Sequence, residues 1–391
     1  MAVDNKMRVL FFLLCIMYTA GNAQSLSNEN LAHLYDQQDE IDFQSLMVKQ
    51  NGKMMVSYSL SISQNKSPEL FLLQWEERDS YSQRQGTTIR TDSLLITDNE
   101  KSGEIEVSLK NDSWLLLLTI TKVTSSKTWA YTFLIEKLFP VNGFAKTNSQ
   151  KVLSPYLKTS TPYTFIGPND KENLFVYYYN DIFSSAYPPF SKSTAGADPL
   201  MLHDSTFTIK NGATTSLKNE GLYLFQADTT SIEGFAFRVE SGSYPRYTRI
   251  EDLVEPLVFI CTKDEFSKLK DANGDKVEFD KTVLGITRDR DRARRFMKSY
   301  YSQVELANQY FTSYKEGWKT DMGMIFIIFG LPDEVRKTGQ NEIWYYKNTR
   351  TKFVFIKKGS IYDPDYWVLM RDDRFAEVWY NNIDLWRKSR F

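Results

Sequence analysis

Between residues 310 and 321 the chain reads Tyr310-Phe311-Thr312-Ser313-Tyr314-Lys315-Glu316-Gly317-Trp318-Lys319-Thr320-Asp321, and the segments on either side have opposite character. Upstream, Ala293, Phe296, Met297, Tyr300, Val304, Ala307, Phe311 and Tyr314 recur at three- and four-residue steps, which is one face of a long amphipathic helix over about 288–316. Thr287 serves as its N-cap, and Asp289 and Asp291 suit the positive end of its dipole. Downstream, Met324-Ile325-Phe326-Ile327-Ile328-Phe329 is a continuous apolar run that reads as a central strand, closed by the turn residues Gly330, Leu331, Pro332 and Asp333. The quoted stretch is then a helix-to-strand corner. Gly317 fits the C′ position, where positive φ is common. Trp318 covers the end of the sheet and contributes about 2–3 kcal/mol by burial. Thr320 and Asp321 accept from free backbone amides in the turn, and Gly323 lets the strand start close to the helix.

Around this corner, residues 342–346 (with Trp344), 352–356 and 366–370 read as further strands of one small sheet. Residues 257–262 read as a strand and 264–272 as a short helix. The tail over 373–387 is amphipathic through Phe375, Val378, Trp379, Ile383 and Trp386. Residues 257–391 therefore form an α+β module, helices covering a sheet. Earlier in the chain the period is two. Strand-like runs at 54–62, 70–76, 87–96, 104–109, 114–123 and 128–137 are separated by turn residues, the pattern of a β-sandwich over 24–150, behind a polar stretch at 25–40 that forms a short helix or a tail. Pro140, Asn142-Gly143, Ser154-Pro155 and Thr161-Pro162 mark a boundary. A second β-rich domain follows over 151–256, with strands at 173–180, 206–210, 221–227 and 234–240. Its Ser/Pro/Ala stretch at 184–197 reads as an exposed loop, a place where β-scaffolds often bind. The expected fold class is multi-domain: two β-sandwich-like (Ig-like) domains followed by an α+β module with a long amphipathic helix and a small sheet.

Composition narrows the function. Of 391 residues, 42% are hydrophobic and 25% charged, an ordinary globular balance. The net charge of −1 gives no reason to expect nucleic acid as a partner. Lys6 and Arg8, the apolar run 9–18 and the small residues Gly21 and Ala23 have the order of a signal peptide over 1–23, with cleavage before Gln24; Met7 is a plausible second start. That run is shorter than the roughly 20 residues a membrane span needs, and no other run approaches this length. Leu14 before Cys15, and the place of Cys15 inside the apolar run, disfavour a lipoprotein. With the signal removed only Cys261 remains, so no intramolecular disulfide is expected.

The order Ala307-Asn308, the quoted stretch 310–321, Gly323, the apolar run, Gly330-Leu331-Pro332-Asp333-Glu334 and Glu342-Ile343-Trp344-Tyr345-Tyr346 resembles the GWxTD domain family. Two departures stand out. Met322 stands where the family usually has Arg after Thr-Asp, and Val283-Leu284 where Phe-Trp often precedes the long helix, so any ion pair or stacking by those residues is absent. The resemblance implies an exported envelope protein of the Bacteroidota type, without an assigned activity. Read physically, Gly317, Trp318, Thr320, Asp321, Gly330, Pro332, Asp333 and Trp344 are structural; the competing reading joins Asp321 with Asp333 or Glu334 in a site.

Elsewhere the residues speak against several chemistries. The chain has only His33 and His203, which leaves Ser-His-Asp, Cys-His and His/Cys zinc sites without ligands. It has neither GxGxxG nor GxxxxGK[ST]. The run 271–275 places Gly274 at the fourth position, not the sixth that a calcium loop needs, and reads as a polar turn. No metal or cofactor is expected. The leading expectation is a non-enzymatic periplasmic or outer-membrane-associated protein that binds other envelope proteins. The alternative is a glycan-binding or glycan-cleaving protein using Asp363 with Asp365, or Asp372 with Asp373. The expected interaction surface is the cationic side of the long helix, with Arg292, Arg294 and Arg295, where it meets the aromatic tail carrying Trp379 and Trp386.

Overall fold

The computed structural model describes residues 25–62, 69–96, 100–110, 112–180, 183–192 and 201–390; the signal-peptide reading of 1–23 and part of the 184–197 loop lie outside them. The front of the chain is a sandwich. Its smaller sheet has the order β1 (Ile41–Gln50), β2 (Lys53–Ile62), β5 (Glu100–Ser108). Its larger sheet has the order β4 (Thr87–Ile96), β3 (Glu69–Arg78), β6 (Trp114–Lys122), β7 (Thr128–Ile135), and all pairs are antiparallel. Aromatic rings join the two sheets, Phe43 to Tyr131 at 4.1 Å and Tyr58 to Trp75 at 5.5 Å between centroids. β6 is buried on both faces because Leu115 and Leu117 meet Leu26 and Tyr81 on the side away from the sandwich interior.

A second pair of sheets follows. One is four-stranded, in the order β14 (Thr214–Ser216), β11 (Pro162–Ile166), β8 (Phe144–Thr147), β9 (Gln150–Lys151). The other is five-stranded, in the order β10 (Tyr156–Lys158), β16 (Phe235–Glu240), β15 (Gly221–Gln226), β12 (Asn173–Tyr179), β13 (Ser205–Lys210), with β10 and β16 parallel. Phe165 stacks on Phe225 at 4.4 Å between them. One apolar cluster runs through both β-rich segments, from Ile41 to Val239.

The remainder is helical until a four-stranded antiparallel meander, β17 (Glu334–Thr338), β18 (Asn341–Tyr346), β19 (Thr351–Lys357) and β20 (Trp367–Leu369). The helices are α1 (Ile250–Val254), α2 (Lys263–Asp271), α3 (Lys276–Thr287), α4 (Arg290–Phe311), α5 (Asp321–Phe329) and α6 (Phe375–Arg387). Several expectations are corrected here. The expected strand at 324–329 is helix α5, eight of whose nine residues are buried. A short, wholly apolar run has no period to separate a strand from an engulfed helix, and the start signal decides: Thr320 Oγ1 accepts from Gly323 N at 3.0 Å, an N-cap. The expected strand at 257–262 is a 3-10 turn over Glu255–Phe259, with Pro256 at its start. The long helix expected over 288–316 is the single helix α4, but its N-cap is not Thr287. Thr287 ends α3 with its hydroxyl on Val283 O, and Asp289 caps α4 by accepting from Arg292 N at 2.9 Å. The polar stretch at 25–40 is no tail. Leu31 is fully buried, and its N donates to Val335 O at 2.8 Å on the edge of the last sheet.

Candidate functional site

Helix α4 ends at Phe311, and the chain from Thr312 to Asp321 doubles back beneath it. This return is tight enough that glycine is required for space, not for positive φ as the sequence implied. A Cβ on Gly317 would sit 2.0 Å from Ala307 O, and one on Gly323 1.9 Å from Gly317 O. Backbone from α4, the corner and α5 is thus layered without side chains between. Gly330, by contrast, has φ +77° and ends α5; its carbonyl accepts from Tyr346 OH at 2.9 Å. Pro332 and Asp333 then lead into β17, with Asp333 Oδ2 accepting from Lys347 N at 2.7 Å and Asp333 O from Asn30 Nδ2 at 3.0 Å.

The corner encloses a polar network. Asn308, fully buried on α4, accepts from Trp318 N at 3.1 Å and donates to Pro245 O at 3.0 Å. Trp318 is buried, and its Nε1 donates to Tyr247 OH at 3.0 Å. Tyr244 OH lies against Thr312 and accepts from Gly317 N. Below them Arg238 on β16 reaches Glu240 and Glu316. Asp321 is held by Arg371 through both oxygens, at 2.6 and 3.1 Å, and its Oδ2 also accepts from Leu369 N at 2.8 Å. Met322, where the family usually has Arg, is buried, and Arg371 arrives from the far end of β20 instead. Asp321 and Asp333 stand at opposite ends of α5, about 13 Å of helix apart, and Glu334 pairs with Arg336, so the structure does not gather these carboxylates into a site. Trp344 is fully buried, its Nε1 donating to Glu342 Oε1 at 2.8 Å.

Sequence reading missed how the corner is covered. The segment 183–190, read as exposed loop, lies across the motif: Lys315 Nζ donates to Ser184 O at 3.1 Å, Ala186 N to Lys319 O at 2.9 Å, Arg371 Nη2 to Tyr187 O at 3.0 Å and Asp372 N to Pro189 O at 3.0 Å. Phe183 packs edge-on against Tyr314. Burial pulls the Lys315 ammonium down to about 8. The one signal available was the apolar content of Phe183, Ala186 and Phe190 within a Ser/Pro-rich run.

The expected interaction surface divides. Arg292, Arg294 and Arg295 are exposed at the start of α4, with Arg288, Arg290 and Lys298 beside them. Trp379 and Trp386 are not surface residues. Trp386 packs edge-on against Tyr300 at 5.4 Å and donates to Ile328 O at 3.0 Å, while Trp379 meets Phe259 and Phe329. The apolar stripe of α6 faces the module interior, which leaves Tyr380 outside. The carboxylates of the glycan reading also separate. Asp363 and Asp365 line a cavity, whereas Asp372 is tied to Arg374, which holds its carboxyl down at about 2. Burial pushes the Cys261 thiol up to about 12, so it stays protonated and inert.

These features define the class: a β-rich chain closed by an α+β module built on a glycine-tight corner. Residues 221–388, from the first residue of β15 to just past α6, match the family model of the GWxTD domain, so this part of the chain carries a GWxTD domain. No curated protein matches the sequence. Among solved structures it is similar to β-glucosidase from Kluyveromyces marxianus in complex with glucose, at 10% identity over 25% of this chain and 14% of that one, TM-score 0.18. It is also similar to trypsin-activated α-2-macroglobulin from Escherichia coli, at 8% identity over 53% and 17%, TM-score 0.20. Red sea bream transglutaminase is similar at 9% identity over 51% and 31%, TM-score 0.20. The chain spans less than a third of each of these structures, and likenesses this slight carry no argument.

Proposed function

We propose that this protein is a non-enzymatic component of the periplasm or outer-membrane-associated envelope of a Bacteroidota-type bacterium, and that it binds other proteins through the cationic start of α4. One observation carries the reading. Arg288, Arg290, Arg292, Arg294, Arg295 and Lys298 are exposed, and none has a carboxylate within ion-pair distance among the described residues. Cations at a helix N-terminus oppose the macrodipole, so helix stability gives no reason for them. Ser389 Oγ donates to Arg292 O at 3.0 Å, which brings exposed Arg390 beside the group. A partner segment rich in Asp and Glu supplies the missing counter-charge, and aromatic Tyr380 adds an apolar contact nearby.

Arg292→Glu with Arg294→Glu and Arg295→Glu is expected to abolish co-purification of specific polypeptides from envelope extracts while leaving the unfolding midpoint unchanged. Raising the salt concentration should weaken the same partners through screening. Equal recovery by the triple variant at low salt would reject the cationic face. The location has its own test. Intact mass of the protein from envelope fractions is expected to correspond to a chain beginning at Gln24; a retained leader, or a lipid on Cys15, would refute that.

A further inference from the structure

A cavity of about 460 Å³ lies where the front sandwich, the second β-rich segment and the α+β module meet, with Phe133, Phe235 and Tyr366 on its walls from each in turn. Its size and its place at a junction of three units are those of small-molecule sites. Independently of the function proposed for α4, we infer that this cavity binds a small organic ammonium ion with an aromatic or aliphatic body, and that Asp363 is its counter-charge. The charges on and behind the wall set the sign. Lys357 pairs with Asp365 at 2.7 Å, and Lys337 pairs at 3.3 Å with Glu342, which also accepts from Tyr35 OH. Each cation is therefore already matched. Asp363 has no cation within ion-pair distance among the described residues; its Oδ1 accepts from Asp365 N at 2.9 Å. The Ser313 hydroxyl lies beside the Asp363 carboxyl and favours its ionised form. Tyr310, Phe311, Tyr362, Tyr366 and Trp367 also line the cavity, and aromatic faces attract a cation as well as an apolar body.

Burial and the neighbouring charge of Asp365 push the Asp363 carboxyl up to about 7, opposed by Lys357 and Ser313. Tyr314 and Tyr366 face it as well and stay neutral. Below pH 7 the carboxyl is mainly protonated and offers no counter-charge; above it the carboxylate forms. An aliphatic amine stays protonated throughout this range, like a lysine ammonium. Its affinity should therefore rise with pH between about 6 and 8 and then level off.

Calorimetric titration of the purified protein with 2-phenylethylamine tests this, with 2-phenylethanol as the uncharged probe. The amine is expected to bind about tenfold or more tightly at pH 8 than the alcohol, to weaken at pH 6, and to release a proton on binding near pH 6.5. Asp363→Asn retains the turn acceptor, so its unfolding midpoint should hold. It should remove the preference for the amine and flatten the pH profile. Absence of amine binding at millimolar concentration, equal binding of the alcohol, or an undiminished preference in the asparagine variant would each overturn the proposal. Should that variant fail to fold, the pH profile of the unaltered protein decides, a flat profile counting against the site.

Discussion

Trp318→Ala is expected to lower the unfolding free energy by about 3–5 kcal/mol, the range for emptying a buried aromatic site. Two losses combine. The ring is buried against Phe259 and its Nε1 bonds Tyr247, whereas the backbone N–H to Asn308 is retained. The layered backbone of the corner prevents collapse into the vacated space, because Gly317 and Gly323 already place α4, the corner and α5 at contact distance. Tyr247 OH is left buried without the indole donor. Trp318→Phe keeps most of the volume and loses only that bond, so it should cost about 1–2 kcal/mol. Urea denaturation of the three proteins provides the comparison. Should the alanine variant unfold at the parental midpoint, the corner does not support the module.

Asp321→Ala is expected to cost a similar amount, about 3–5 kcal/mol, because it strands Arg371. Both side chains are nearly inaccessible, with 2% and 4% exposure. Leu369 N loses its acceptor at the same time. From the sequence, Asp321 binds turn amides, a smaller role; the structure adds a bidentate cation and so raises the expected effect. The diagnostic comparison is Asp321→Leu with Arg371→Met. Removing both charges should recover much of the loss, since the penalty comes from the uncompensated guanidinium more than from the missing attraction. A double variant as unstable as Asp321→Ala would show instead that the backbone bond to Leu369 and the strap contact from Arg371 to Tyr187 O are what matter.

Much of the front half was legible. β4 is legible at its observed bounds, and β2, β3, β6 and β7 within a few residues, because turn residues bracket short β-branched and aromatic runs. β1 was missed. Its burial does not alternate cleanly, since Met47 sits on the cavity wall while Val48 enters the core. The terminal helix is legible by its stripe, yet the stripe does not show that its tryptophans are buried. Periodicity locates an apolar face but does not say whether another element covers it. For α6 the cover comes from Phe296 and Tyr300 of α4, and from Phe329.

By itself the sequence determined local chemistry: where the period changes from two to three or four, where chain direction reverses, and which motif stands at 317–321. Those properties depend on neighbours within a few residues. Tertiary structure alone decided that residues 183–190 strap the corner, that Arg371 answers Asp321 and that Asp363 meets a cavity. Each of these joins groups about fifty or more residues apart, or an element to the space around it. Burial and electrostatic compensation arise between two surfaces, and one segment of chain specifies only one of them.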